Sequence, residues 1–236
     1  MTAVWVLTKK ELRSYFSSPI AYIVAVLFLG ILGFFYSNSI FMSKSADLRG
    51  LFSIAHIIFL VFIPAISMRL ISEEKRSGTI EMLGTMPLTD WQLVLGKFIP
   101  AFILMLITLL FTLINYFTVS FLGDPDTGVV LGGYVGLILL AAAYLSIGIF
   151  TSSLTSNQIV AFITSFTVIL FFFVLNQLKF FVGGFLASIL EFISTDYHFQ
   201  SIQRGVIDSR NVIFYVTITF LFIFLTVQVL QSRKWR

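Results

Sequence analysis

Residues 127–178 read TGVVLGGYVGLILLAAAYLSIGIFTSSLTSNQIVAFITSFTVILFFFVLNQL, 52 residues without one Asp, Glu, Lys or Arg. A helix needs about 20 apolar residues to cross about 30 Å of hydrocarbon, so this run is too long for one span and fits two. Its polar centre, Thr151-Ser-Ser-Leu-Thr-Ser-Asn-Gln158, supplies the turn between them. Four shorter charge-free runs surround it: 14–43, 50–68, 98–123 and 211–232. Together they give six spans, at 20–41, 51–71, 97–122, 131–151, 157–178 and 212–231.

Composition agrees. The chain has 236 residues, of which 58% are hydrophobic, 17% aromatic and 11% charged. An ordinary soluble domain carries roughly 25% charged residues, so this one lacks the means to cover a water-facing surface. The apolar runs are continuous, as in Phe171-Phe-Phe-Val-Leu175, where a transmembrane barrel strand would alternate. Inside lipid the backbone then has only the helix in which to satisfy its own hydrogen bonds. The expected fold is an all-α integral membrane protein, one domain over 1–236. With no cysteine, thiolate metal sites and cysteine nucleophiles are excluded.

Before the first span, Val4, Trp5, Thr8, Leu12, Tyr15 and Phe16 share one helical face, and Lys9, Lys10, Arg13 and Ser14 share the other. That pattern predicts an amphipathic interfacial helix over 1–18 rather than a cleavable signal peptide. Ser17-Ser18-Pro19 forms a corner into the first span. Six spans put both termini on one side, together with the loops at 69–97 and 151–158. That side holds ten basic residues (Lys9, Lys10, Arg13, Arg69, Lys75, Arg76, Lys97, Arg233, Lys234 and Arg236) and the other holds five (Lys44, Arg49, Lys179, Arg204 and Arg210). The excess of Lys and Arg makes the first side cytoplasmic. On the outer side, Phe180 to Leu190 is apolar but too short to cross. The 179–210 segment fits short re-entrant or interfacial helices, with an apolar surface loop as the alternative.

The cytoplasmic loop 72–96 concentrates charge of both signs: Glu73, Glu74, Glu81 and Asp90 with Lys75 and Arg76. Ser77 or Thr79 is placed to cap a short helix through Met82 or Leu83, Pro87 ends it, and Thr89-Asp90 caps the next. Basic residues beside a span ordinarily hold lipid headgroups. The mixture of signs points instead to a docking surface for a cytoplasmic partner.

The run Glu73-Glu-Lys-Arg-Ser-Gly-Thr-Ile-Glu-Met-Leu83 with Pro87 resembles the coupling region of ATP-binding-cassette type-2 permeases. Further stretches resemble the gliding-motility-associated branch of that family: Ser17-Ser-Pro-Ile-Ala-Tyr22, Leu95-Gly-Lys97, Gly123-Asp-Pro-Asp126 and Gly205-Val-Ile-Asp208 among them. The resemblance implies a coupling helix between spans two and three and re-entrant helices between spans five and six. It assigns ATPase coupling to Glu73, Glu74, Lys75, Arg76, Gly78, Thr79 and Glu81. It implies two separate ATP-binding-cassette ATPase subunits and a second permease chain as partners, with ATP and Mg bound by the ATPases and no cofactor bound here. The implied location is the bacterial cytoplasmic (inner) membrane, with both termini cytoplasmic. Gly84-Thr-Met86 departs from the family pattern and loosens the end of the coupling helix.

No phosphate-cradling Gly-x-x-x-x-Gly-Lys-Ser/Thr run is present, since Trp91 stands where Gly96-Lys97 would need its upstream glycine. The chain is therefore not expected to be an enzyme by itself, and nothing suggests nucleic acid as a partner. Of the polar residues in the spans, His56 reads as an interface anchor, and Asn115, Gln158, Asn176 and Gln177 as hydrogen-bonding ties between helices. Pro64 and Pro100 are candidate kinks. The function expected is that of a transporter permease subunit, an exporter driven by ATPases gripping 72–86. The alternative is a membrane anchor or force-transmitting scaffold that engages an extracytoplasmic accessory protein and moves no solute.

Overall fold

The computed structural model describes residues 3–43, 47–79, 88–179, 181 and 183–233. Among the described residues there are ten helices and no strand: α1 (Ala3–Ser17), α2 (Pro19–Ser43), α3 (Arg49–Ser67), α4 (Ser72–Arg76), α5 (Asp90–Leu122), α6 (Thr127–Leu154), α7 (Gln158–Leu178), α8 (Phe185–Ile193), α9 (Thr195–Gln203) and α10 (Ser209–Arg233). Six of them, α2, α3, α5, α6, α7 and α10, are long and apolar enough to cross a membrane.

Local sequence sets the starts of these helices. Asn157 accepts a hydrogen bond from the Ile159 amide at 2.9 Å and caps α7, so the polar centre of the opening stretch is a true break. Asp126 does the same for α6 through the Gly128 amide at 2.9 Å. Thr89 and Gln92 form a reciprocal capping box that starts α5 at Asp90, ahead of the apolar run beginning at Phe98. The helix is thus longer than the charge-free stretch, and its first two turns carry Asp90 and Lys97.

The core sits around α6, which packs against α3, α5, α7, α9 and α10. Small residues allow these close approaches, as is usual where helices associate without a hydrophobic driving force between them. A Cβ on Gly132 would strike the backbone carbonyl of Ile202 in α9, and one on Gly148 would strike the Ser67 hydroxyl of α3. Phe52, Phe59 and Leu137 are wholly buried between these helices.

Helix α1 packs along α5, with Leu7 seated on Gly96. Its buried side centres on Leu7 and Thr8, while Trp5 and Phe16, expected on the same face as Thr8, are exposed. The helix therefore has two apolar aspects, one taken by protein and one left outward. The 179–210 segment forms two unequal helices. α9 is packed into the bundle, whereas α8 has no buried residue and leaves Phe185, Leu186 and Phe192 exposed.

Gly132→Ala should cost about 1–3 kcal/mol, because the Ile202 carbonyl is backbone and cannot swing aside. Gly33→Ala, which meets open space in α2, should be neutral or mildly stabilising. Thermal unfolding in detergent compares the two, and an unshifted Tm for Gly132→Ala would contradict the packing described.

Candidate functional site

The α3–α4 junction is where the charged loop leaves the bundle. Pro64 lies inside α3, and the Met68 amide bonds its carbonyl at 2.9 Å. The chain then turns through 68–71 into α4. Glu73 and Glu74 occupy the first turn of α4, and Lys75 and Arg76 the last, the order that complements the helix dipole. The Ser77 amide closes on the Glu73 carbonyl at 2.9 Å. Gly78 then takes φ +72°, the left-handed conformation that ends helices and favours glycine. The glycine of the Glu-Glu-Lys-Arg-Ser-Gly run is therefore a helix stop. Ser77, expected as an N-cap for a helix to its C-terminal side, donates its hydroxyl back to the Glu73 carbonyl at 2.9 Å. Glu81 and the expected helix end at Met82 or Leu83, with Pro87, lie outside the described residues.

Several ties hold α4 to the spans. Ser152, at the end of α6, accepts from the Ile71 and Ser72 amides at 3.1 and 3.0 Å and donates to the Met68 carbonyl at 2.9 Å. One hydroxyl thus satisfies three backbone groups of the turn that precedes α4. Lys75 donates to the Ser153 carbonyl, and Gln158 of α7 donates to the Glu73 carboxylate. From α5, Lys97 lies 2.5 Å from one oxygen of Glu74 and 3.6 Å from Glu11 of α1. Lys97 is only 3% exposed, so this ion pair is shielded from water and from salt. Burial pushes the Glu74 carboxyl up from its ordinary range, against the opposing pull of Lys97. Burial and the charge of Glu11 likewise raise the Tyr15 hydroxyl above its usual value.

These contacts sort the expected coupling residues. Glu74 and Lys75 are half-buried and turned onto the spans, whereas Glu73, Arg76, Gly78 and Thr79 are exposed. Arg76, Gly78 and Thr79 lie at the exposed end of α4, whereas Glu73, though exposed, joins Glu74 and Lys75 in tying it to the spans. A pocket of about 180 Å³ lies between α1, α4 and α5, lined by Glu11, Tyr15, Arg69, Glu74 and Lys97 among others. Three carboxylates, those of Glu11, Glu73 and Glu74, face this pocket with Arg69 and Lys97. No grouping of three or more potential metal ligands occurs among the described residues.

Two members of this assembly were not recognisable from sequence as such. In the sequence Lys97 is a basic residue of the Leu95-Gly-Lys97 stretch, and Ser152 part of a polar turn. The signal for Lys97 is its place directly before the apolar run at Phe98, where an unpaired ammonium would be costly. Gln158, expected to tie helices together, does so through Glu73.

No curated protein matches the chain. The ABC-2 family transporter protein family matches residues 5–234. That span takes in α1, all six apolar helices and the tied α4. The chain therefore belongs to the ABC-2 family of transporter proteins, membrane permeases that work with ATP-binding-cassette ATPase subunits.

Proposed function

We propose that this permease subunit is driven by two separate ATPase subunits docked on 72–86, and that it works as an exporter in the bacterial inner membrane with both termini in the cytoplasm. A second permease chain, identical or similar, completes the pathway. The resemblance of its motifs to the gliding-motility branch supports a role in an envelope machinery of that kind.

The observation that carries the docking reading is the anchorage of α4. Its tip is exposed and charged, and its base is joined to α5, α6 and α7 through Glu74, Ser72, Lys75 and Glu73, and to α3 through the turn at 68–71. A push on the tip reaches four spans without a flexible intermediate. Arg76 and Thr79 present the docking face, and Gly78 sets the angle at which the chain leaves α4; the motif resemblance adds Glu81 to the coupling residues. Glu74 and Lys75 act by positioning α4. The excess of Lys and Arg on this side supports its placement in the cytoplasm.

Two outcomes test the reading. In the reconstituted complex with its ATPase subunits, Glu74→Arg and Glu81→Arg should each abolish stimulated ATP hydrolysis while the chain still inserts. Unchanged stimulation in both variants would remove the coupling role. Separately, Lys97→Met should cost about 1–3 kcal/mol, since it leaves the half-buried carboxylates of Glu74 and Glu11 without their cation. The double variant Lys97→Met/Glu74→Met should recover much of that loss. A coupling energy near zero in this double-mutant cycle, read by thermal unfolding, would dismiss the strut.

A further inference from the structure

At the other end of the bundle lies a second polar cluster that the α4 surface does not use. Asp196, in the first turn of α9, is only 5% exposed. Its Oδ2 accepts from the Asn176 amide of α7 at 2.7 Å and from the Gln200 amide at 2.8 Å. Its Oδ1 stands 3.6 Å from His56 Nδ1 of α3, beyond hydrogen-bonding reach. His56 was expected to be an interface anchor, but it is 2% exposed and enclosed by protein, with Nε2 3.0 Å from the Tyr144 hydroxyl. A cavity of about 200 Å³ opens beside these groups, its polar lining formed by Ser53, His56, Gln177, Asp196, Gln200 and Gln203. Phe173 and Phe199 give it aromatic walls.

Hydrogen-bond accounting shows what the cavity lacks. An ionised carboxylate only accepts, so Asn176 and Gln200 must turn their NH2 groups toward Asp196. The carbonyl oxygen of Asn176 is thereby fixed facing away, and it is buried without a hydrogen-bond partner among the described residues. The amide of Gln203 is likewise spent, on the Arg49 carbonyl at 2.5 Å and the Ser53 hydroxyl at 3.0 Å. Asn176 itself is not among the lining residues; on the lining, Asp196 Oδ1 is the carboxylate oxygen that accepts no hydrogen bond. None of the lining residues is Lys or Arg. A buried carboxylate with an unfilled side and no cation is costly. A clamp that merely fixed α9 would need neither the cavity nor the open face of Oδ1.

We propose that this cavity binds a primary ammonium group. Such a group brings a positive charge and three donors, which answers both the missing charge and the unfilled Oδ1 of Asp196. Aromatic walls add attraction for a cation. The ammonium comes either from the ethanolamine headgroup of a membrane lipid or from an amine-bearing solute. The assignment stands apart from ATPase docking, and its test needs no ATPase.

The full chain in phosphatidylcholine nanodiscs is titrated with n-butylammonium and with n-butanol, using ligand-observed NMR. Saturable binding of butylammonium is expected, with butanol at least tenfold weaker. Asp196→Asn should weaken butylammonium at least tenfold. Because that variant disturbs two hydrogen bonds and could misfold, the exposed Gln177 supplies a second arm. Gln177→Lys places a tethered ammonium at the cavity and should block the probe, whereas Gly33→Ala, in α2 and outside the lining, should leave binding intact. Competition by phosphatidylethanolamine added to the nanodiscs identifies a lipid headgroup as the source, and its absence identifies a solute. No saturable binding to the wild-type chain, equal binding of butanol, or undiminished butylammonium binding by Gln177→Lys would each overturn the proposal.

Discussion

Hydrocarbon offers no hydrogen bonds, so every polar group that this chain carries between its membrane faces has to find its partner within the protein. The backbone meets that demand by becoming helix. Side chains meet it by gathering. Serines and threonines along the spans return their hydroxyls to carbonyls one turn back, as Thr108 does to Leu104 and Thr226 to Phe222. Groups too polar for that solution collect at two nodes, one around Lys97 at the base of α4 and one around Asp196 in α9.

The two nodes share elements. α3 runs from Ser53 and His56 at one node to the Met68–Ser72 turn at the other, a rise of roughly 18 Å between His56 and Met68 at 1.5 Å per residue. α6 does the same, bringing Tyr144 to His56 and Ser152 to the turn before α4. These helices touch through close contacts such as that of Gly148 with Ser67. A displacement at α4 therefore has rigid, close-packed elements along which to reach the cavity beside Asp196. An ATP-driven permease requires this kind of connection between its motor surface and its membrane interior.

Much of this could be read directly from the residues. The spans followed from the placement of charge, and the break between α6 and α7 from a cluster of small polar residues ending in a capping Asn157. The density of charge between Arg69 and Lys97 marked the surface that α4 occupies. The nodes themselves were not legible, because their members lie far apart along the chain. Glu11, Glu74 and Lys97 come from three different helices, as do His56, Tyr144 and Asp196. Helical periodicity describes one helix at a time and carries no information about which helices meet. The side of α1 that meets α5 was not legible for the same reason: the pattern showed an amphipathic helix and said nothing of its partner.

The three-way contact at Lys97 also bears on how the protein is made. A chain emerges from the ribosome with its N-terminus first, so Glu11 and Glu74 are synthesised before Lys97. Until α5 has entered the membrane, both carboxylates lack their cation, and neither α1 nor α4 has its electrostatic anchor. Asp196 plays the same late part at the other node, arriving after His56, Tyr144 and Asn176. Each end of the bundle thus gains partners from later helices, Ser152 and Gln158 following Lys97 at one end and Gln200 following Asp196 at the other, so insertion of the later helices locks the earlier ones in place.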